Sequence, residues 1–341
     1  MSKLLTIVVP VYKVEQYINK CLDSCIIYTT DENGNRVLDE ELMNQLEVII
    51  VNDGTPDNSA ELSREYTIRY PQTFHQIDKE NGGHGSAWNV GVKEATGKYL
   101  RFLDSDDWLT NLDLLMKKLQ DCEADLVFTQ MNKFYAETGL YVEECVIDDY
   151  DIMKSIDDFN FEINNQTHIL DFWHTTYKKD VLKYERDIFL ENTMYDDGIL
   201  FVLPAIKSST YLCLNLNVYN YYIGRVGQSL GQEKQPRNIR ARYAQCIYMY
   251  DFLNEFANEV SEKMQLNLRH INAKFAEFIF GDFIILPYKE CKKYSLDCTK
   301  CIEIVDKTKH SSIWKRYKKL PFFIYYILEW VRYFKNKKIS K

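Results

Sequence analysis

No stretch of this sequence reaches the ~18 uninterrupted apolar residues that a membrane-spanning helix needs. The first apolar stretch, Leu4-Leu5-Thr6-Ile7-Val8-Val9-Pro10, is too short for a secretory signal and predicts a strand. A protein kept in the cytoplasm is therefore expected. Positive charge is also short: 42 Lys and Arg stand against 50 Asp and Glu, for a net charge of −8. That balance argues against a nucleic-acid binder, which needs a broad cationic excess. The nine cysteines are odd in number and follow no disulfide-like rhythm, so reduced, buried thiols are expected. Their close pairs are Cys21/Cys25 and Cys298/Cys301. The second is a lone C-x-x-C with no further pair or His partner, a weak basis for zinc. Internal repeats and low-complexity tracts are missing as well.

What is present is an alternation of strand and helix signals. Thr6 to Val11 is a β-branched run of the kind that is buried on both faces. Val14, Tyr17, Ile18, Cys21, Leu22 and Cys25 then recur at helical spacing. Thr29 to Asn44 is polar and predicts an exposed insertion. Strands are expected over Leu46 to Val51, Phe74 to Asp78 and Tyr99 to Leu103. Helices are expected over Ala60 to Tyr70 and Ser86 to Ala95, and along Leu112, Leu115, Leu119 and Cys122 with Thr110 or Asn111 as cap. Such alternation predicts an α/β domain with a mostly parallel sheet. From about residue 235 the pattern turns helical.

In open α/β sheets ligands bind beyond the carboxyl ends of the strands. Tyr12 and Lys13 fall there after the first strand, Asp53 after the second, and Asp104 and Asp106 after a later one. Residues two apart in an extended chain point to one side, so Asp104 and Asp106 can reach one ion. Carboxylates are hard ligands suited to Mg2+ or Mn2+, which also bind substrate phosphates. A cation there stabilises charge building on a diphosphate leaving group. Asp53, in Val51-Asn52-Asp53-Gly54, can accept a hydrogen bond from a base N–H, or can simply end a strand in an Asp-Gly turn. Asn81-Gly82-Gly83-His84-Gly85-Ser86 precedes a helix, and its glycines allow a phosphate close to the backbone, although it is no Walker segment.

Taken together, Val9-Pro10-Val11-Tyr12-Lys13-Val14-Glu15, Val51-Asn52-Asp53-Gly54, Asn81-Gly82-Gly83 and Phe102-Leu103-Asp104-Ser105-Asp106-Asp107 resemble the family 2 inverting glycosyltransferases of GT-A fold, of the type that builds bacterial surface and capsular polysaccharides. The motifs cover roughly the first third of the chain. The resemblance implies a nucleotide-sugar donor, usually a UDP-sugar, held by Pro10, Val11, Tyr12, Glu15, Asp53, Asn81, Gly82, Gly83 and Asp104. It also implies Mn2+ or Mg2+ on Asp106, with Asp104 beside it. The chain departs from the family in having Lys13 for Asn, Asn52 for Asp, Trp88 for Arg, and an added His84-Gly85 step.

An inverting transfer also needs a general base on the face opposite the leaving group. The family places an acidic pair roughly ninety residues beyond the metal motif, which implies Asp197 here, with Asp196 as the fallback. Adjacent acids point to different sides, so one alone can face the site. Tyr221-Tyr222-Ile223-Gly224-Arg225 resembles a family segment whose Arg would grip phosphate bidentately. Phe172-Trp173-His174 resembles the acceptor-lining segment, while His174 and His84 each read as satisfied structural histidines.

The expected organisation is a glycosyltransferase domain over 1–230, its nucleotide-sugar half at 1–110 and its acceptor and catalytic half at 111–230. A helical region follows at 231–308 and a basic aromatic tail at 309–341. Aromatics flanked by Lys and Arg in that tail suit the inner face of a membrane, as does a lipid-linked saccharide acceptor, but equally a docked C-terminal helix. A nucleotidyltransferase is the competing enzyme reading, disfavoured because Tyr12-Lys13-Val14-Glu15 is not a Gly-rich basic loop. A non-catalytic nucleotide-sugar-binding or membrane scaffold is the other, disfavoured by the intact acids.

Overall fold

An apolar β-branched run without polar alternation is satisfied when both faces of a strand are covered. In the computed structural model, strand β1 (Leu5–Val11) has all seven residues buried. The structure describes residues 2–144, 149–159, 162–163, 166–167, 171–225, 228, 236–283 and 304. After β1 come helix α1 (Ile18–Asp23), the exposed hairpin β2 (Tyr28–Thr30) and β3 (Arg36–Leu38), and helix α2 (Glu40–Gln45). Next are β4 (Leu46–Asp53), α3 (Ser59–Arg69), β5 (Phe74–Lys79) and α4 (His84–Glu94). They lead to β6 (Tyr99–Phe102), β7 (Trp108–Leu109) and α5 (Leu112–Gln120). The chain continues through β8 (Leu126–Tyr135), β9 (Leu140–Glu144), β10 (Met153–Ser155), the small pair β11 (Glu162–Ile163) and β12 (Gln166–Thr167), and β13 (Thr175–Lys178). Helix α6 (Leu203–Lys207) and the long β14 (Thr210–Ile223) complete this unit, and α7 (Pro236–Glu255) and α8 (Glu262–Phe283) follow.

The main sheet runs β10-β14-β8-β13-β6-β1-β4-β5, with β7 added to β14 and β9 to β8. Its β6-β1-β4-β5 half is parallel throughout. β13 enters antiparallel between β6 and β8, while β8 and β14 again run parallel. Strands β1, β4 and β6 therefore deliver their carboxyl ends to one edge. Proline costs little in this central strand, because the register of β1 with β6 ends at Val8↔Phe102 and Pro10 lies beyond it. Helix α4 lies on β1 so closely that a Cβ at Gly91 would sit 2.1 Å from Val8 Cγ1. Glycine is what lets the helix approach.

Three local expectations are corrected. Within Thr29 to Asn44 the hairpin is exposed, but Leu42 and Met43 are buried on α2, which Asp39 caps by accepting from the Leu42 N–H at 3.0 Å. Helix α4 begins at His84, two residues earlier than its apolar pattern suggests. Asn111 stands at the start of α5 in the left-handed region, φ 52°, yet its amide donates to the Asn217 carbonyl instead of capping.

The described residues divide into two compact units, 1–228 and 229–341. In the second, α7 and α8 pack together around Cys246, Met249, Leu268, Ile271 and Asn272, and the Asn272 amide donates to the Cys246 carbonyl at 3.3 Å. Cys21, Cys25, Cys122, Cys213 and Cys246 are buried thiols. Cys298, Cys301 and the basic tail lie outside the described residues. Among the described residues no helix is long and apolar enough to cross a membrane.

Candidate active site

The tip of β1 is held by the loop after β4. The Lys13 N–H donates to Thr55 Oγ1 at 2.8 Å and the Val14 N–H to Ser59 Oγ at 2.9 Å. Glu15 accepts from the Asn58 N–H at 3.3 Å, so its carboxylate ties these two loops together. Pro10 and Val11 are buried, while Tyr12 stands 42% exposed at the strand tip. Lys13 has φ 55°, a region that suits Asn far better than Lys. The Asn52 amide donates to Asp78 Oδ1 at 2.9 Å and its oxygen accepts from the Thr55 N–H at 3.0 Å, a pairing of donor and acceptor that an Asp could not make.

Asp53, 3% exposed, closes β4 at the Asp53-Gly54 turn, where Gly54 has φ 64°. Its Oδ1 accepts from Lys79 Nζ at 2.7 Å and from the Gly82 N–H at 2.9 Å, and its Oδ2 accepts from the Gly83 N–H at 2.8 Å. Asn81 Nδ2 donates to the Asp53 carbonyl at 2.9 Å. The Asn81-Gly82-Gly83 loop is thus an anion cradle already filled by a side chain, since two successive amides point at one carboxylate. Gly83, with φ 88°, turns the chain into α4.

Beyond β6 the acids cluster. Ligand atoms of Asp104, Asp106 and Asp107 lie within 4.8 Å of one another. They differ in what they are free to do. Asp107 is buried and accepts from the Tyr219 hydroxyl at 2.6 Å and the Tyr222 N–H at 2.7 Å, so it braces β14 against the turn. Burial, with Asp106 and Asp104 adding to it, pushes its carboxyl well above the usual range. Asp106 is raised by burial and by Asp104, and Arg225 Nε lies 2.6 Å from its Oδ2. Arg225 therefore meets a carboxylate at the place where the sequence suggests a phosphate. Asp104 is half-buried and its Oδ1 lies 3.1 Å from His84 Nε2. Hard oxygen donors at this spacing fit a small divalent cation, with Asp104 and Asp106 the accessible pair.

His84 links this cluster to the second acidic pair. Its Nδ1 lies 3.0 Å from Asp196 Oδ1 while its Nε2 faces Asp104. Two carboxylates on two ring nitrogens are satisfied together when both nitrogens donate. Burial opposes the charge, but Asp196 and Asp104 outweigh it and hold the imidazole well above its ordinary value. Asp196 is buried, at the start of a short 3-10 helix, Asp196–Phe201. Asp197 beside it carries a carboxyl raised to about 7 by burial and by Asp196, with His84 pulling the other way. The segment before them is shaped to fit. Tyr195 has φ 61°, and a Cβ at Gly85 would lie 2.3 Å from the Leu190 carbonyl oxygen and 2.5 Å from Asp196 Oδ2.

Trp88 is fully buried against His84, Phe102, Phe172 and Phe189. His174 pairs with Asp171 at 2.8 Å and is a satisfied structural histidine. Sequence reasoning assigned no role in the site to Asp107 and Tyr219 and missed the bridge made by His84. An acid continuing Asp104-Ser105-Asp106 was the one signal available for Asp107.

A parallel sheet that gathers acids at its carboxyl edge, with a second acidic pair facing them, defines a GT-A-type glycosyltransferase domain. The chain belongs to glycosyl transferase family 2, whose family model matches residues 6–184. It is 29% identical over 228 residues to glycosyltransferase GlyA of Streptococcus pneumoniae, covering 64% of this chain and 30% of that protein. It is 26% identical over 270 residues to the minor teichoic acid biosynthesis protein GgaB of Bacillus subtilis, covering 78% of this chain and 28% of that one. The chain thus spans about a third of the length of these curated relatives. TarS of S. aureus, residues 1–349, solved in complex with UDP, superposes with a TM-score of 0.59 at 17% identity, over 89% of this chain and 83% of that one. That likeness is one of fold.

Proposed function

We propose that this chain is a metal-dependent inverting glycosyltransferase that moves a sugar from a UDP-sugar to a saccharide hydroxyl in surface-polysaccharide or related glycoconjugate synthesis. The observation that carries this reading is the pair of facing acidic groups: Asp104 and Asp106 after β6, and Asp197 with a carboxyl raised to about 7. A general base works best when its pKa lies near the operating pH. The teichoic acid role in GgaB's name and the UDP in the TarS complex agree with this assignment.

In this reading residues 1–110 bind the donor and residues 111–230 shape the acceptor side. Pro10, Val11, Tyr12 and Glu15 form one wall of the donor pocket. Asp53, Asn81, Gly82 and Gly83 form its floor, the Asp53 carboxylate holding the glycine loop in shape. Asp104 and Asp106 would hold Mn2+ or Mg2+, whose charge offsets that of the departing diphosphate. Arg225 moves from Asp106 to the diphosphate when donor binds, where its planar fork binds two oxygens. Asp197 takes the proton of the acceptor hydroxyl as that oxygen attacks the anomeric carbon. The bond to the diphosphate breaks on the opposite face, and its electron pair leaves with the phosphate oxygen. The protein works in the cytoplasm, and the basic tail at 309–341 brings it to the inner membrane face, where a lipid-linked acceptor would be presented.

A panel of nucleotide-sugars, assayed for nucleotide release with and without Mn2+, tests the reading. UDP release that needs Mn2+ and is much faster with an acceptor is expected, as is loss of that acceptor-dependent rate in Asp197→Asn with UDP binding retained. Transfer that proceeds unimpaired in Asp106→Asn and Asp197→Asn would remove the site assignment.

A further inference from the structure

Residue 84 is one of the positions where the chain departs from the family pattern it otherwise resembles, and its side chain touches both acidic groups. His84 Nε2 lies 3.1 Å from Asp104 Oδ1, and His84 Nδ1 lies 3.0 Å from Asp196 Oδ1 and 3.3 Å from Oδ2. These partners are 20 and 112 residues away in sequence, so the contact is made by the fold alone. The ring is held in place from behind, its centroid 4.1 Å from that of the buried Trp88.

The surroundings have been shaped to seat this bridge. Gly85 lacks the Cβ that would strike Asp196 Oδ2 and the Leu190 carbonyl. Tyr195 adopts a left-handed backbone, φ 61°, immediately before the acidic pair, a conformation strained for a residue of its size. The Asn192 N–H donates to the Gly82 carbonyl at 2.7 Å, and Asn89 holds the Phe189 backbone through both its amide oxygen and its amide nitrogen. The loop carrying Asp196 and Asp197 is thus fastened to the start of α4 at several points, and His84 extends the fastening to Asp104.

We propose that His84 is a positioning residue of the transfer reaction, a strut that fixes the base loop against the metal-side acid so that Asp197 meets the acceptor at the correct distance from the donor. The proposal rests on the reading of Asp104 and Asp197 given above. An imidazole spans its two partners rigidly because its nitrogens diverge on a planar ring. A flexible side chain could reach either acid but would not hold both. Misplacement of a reacting group by about 1 Å costs on the order of 100-fold in rate, which sets the expected size of the effect.

The test compares wild type, His84→Ala, His84→Gln, Asp196→Asn and the double variant His84→Ala/Asp196→Asn. Acceptor transfer, slow donor hydrolysis without acceptor, UDP affinity and thermal unfolding are measured for each. A strut predicts that His84→Ala lowers kcat for transfer about 100-fold with UDP affinity within about threefold of wild type. Donor hydrolysis should fall much less, because water needs no acceptor alignment. The double variant should be no worse than the poorer single one. Added imidazole should restore part of the transfer rate in His84→Ala, and His84→Gln should lie between alanine and wild type. Transfer within threefold of wild type in His84→Ala overturns the proposal. So does a loss of transfer that tracks loss of UDP affinity and melting temperature and resists imidazole. Asp197→Asn serves as the separate control: if it transfers normally, the base assignment fails, whatever His84 does.

Discussion

Arg225 Nε lies 2.6 Å from Asp106 Oδ2, joining the end of β14 to the turn after β6 by an ion pair in which both side chains are largely shielded, at 26% and 11% exposure. A guanidinium and a divalent cation compete for that carboxylate. Arg225→Met is therefore expected to bind Mn2+ several-fold more tightly than wild type when no nucleotide is present. It should bind UDP several-fold more weakly, having lost its diphosphate partner. Mn2+ titration followed by electron paramagnetic resonance, with and without UDP, reads both effects. Unchanged Mn2+ affinity in the variant would show that the pair does not guard the site.

Asp197 sets the expected pH dependence. In the folded chain its carboxyl holds a proton to about pH 7, against an ordinary value of 3.8. Transfer limited by this base should rise with pH through about 7 and then level off. Stability runs the other way. The folded state binds the extra proton between those two values, so this group's stabilising contribution is full below 3.8 and is lost as pH rises through about 7. Asp197→Asn should flatten the fall in melting temperature between about pH 4 and 7, the interval between the two values, and above it melt higher than wild type.

Gly85 tests the fit of the base loop without replacing an acid. A Cβ there would lie 2.3 Å from the Leu190 carbonyl oxygen, a backbone atom, and 2.5 Å from Asp196 Oδ2, which faces His84. Gly85→Ala should shift the loop and lower transfer by on the order of 100-fold. UDP affinity should change far less, as measured by calorimetry.

These sites show what could and could not be read from the chain beforehand. The runs ending at Val11, Asp53 and Phe102 announce buried parallel strands, and the ligand edge follows from strand direction alone. Asp104 and Asp106 stand out because two acids directly follow a run that is otherwise buried. His84 could not be assigned its role, because Asp104 and Asp196 come to it only through the folding of α4, β6 and the loop before α6. Asp53 was legible as a strand-end acid, but the orientation of the Gly82 and Gly83 amides toward it depends on the turn at Gly83, which has no sequence code beyond the glycine itself. Asp107 reads as one more acid in a row, and only the arrival of Tyr219 and Tyr222 on β14 makes it a structural brace.

Lys13 carries a cost the sequence hides. Its φ of 55° places an unbranched but Cβ-bearing residue where Asn is tolerated better. Lys13→Asn should stabilise the protein by about 0.5–1 kcal/mol in denaturant unfolding, since the left-handed penalty for ordinary residues is about 1–2 kcal/mol. An unchanged or lower midpoint would mean that the Lys13 side chain, whose Nζ lies 5.2 Å from the Tyr12 ring centroid, offsets the strain.

The central claim is that Asp104 and Asp106 grip a divalent cation together with the donor's diphosphate. Calorimetric titration of UDP into wild type and Asp106→Asn, each with and without Mn2+, tests it most directly. The account predicts that Mn2+ tightens UDP binding in wild type at least tenfold, about 1.4 kcal/mol, and leaves the variant unaffected. Equal tightening in both proteins, or none in wild type, would contradict it.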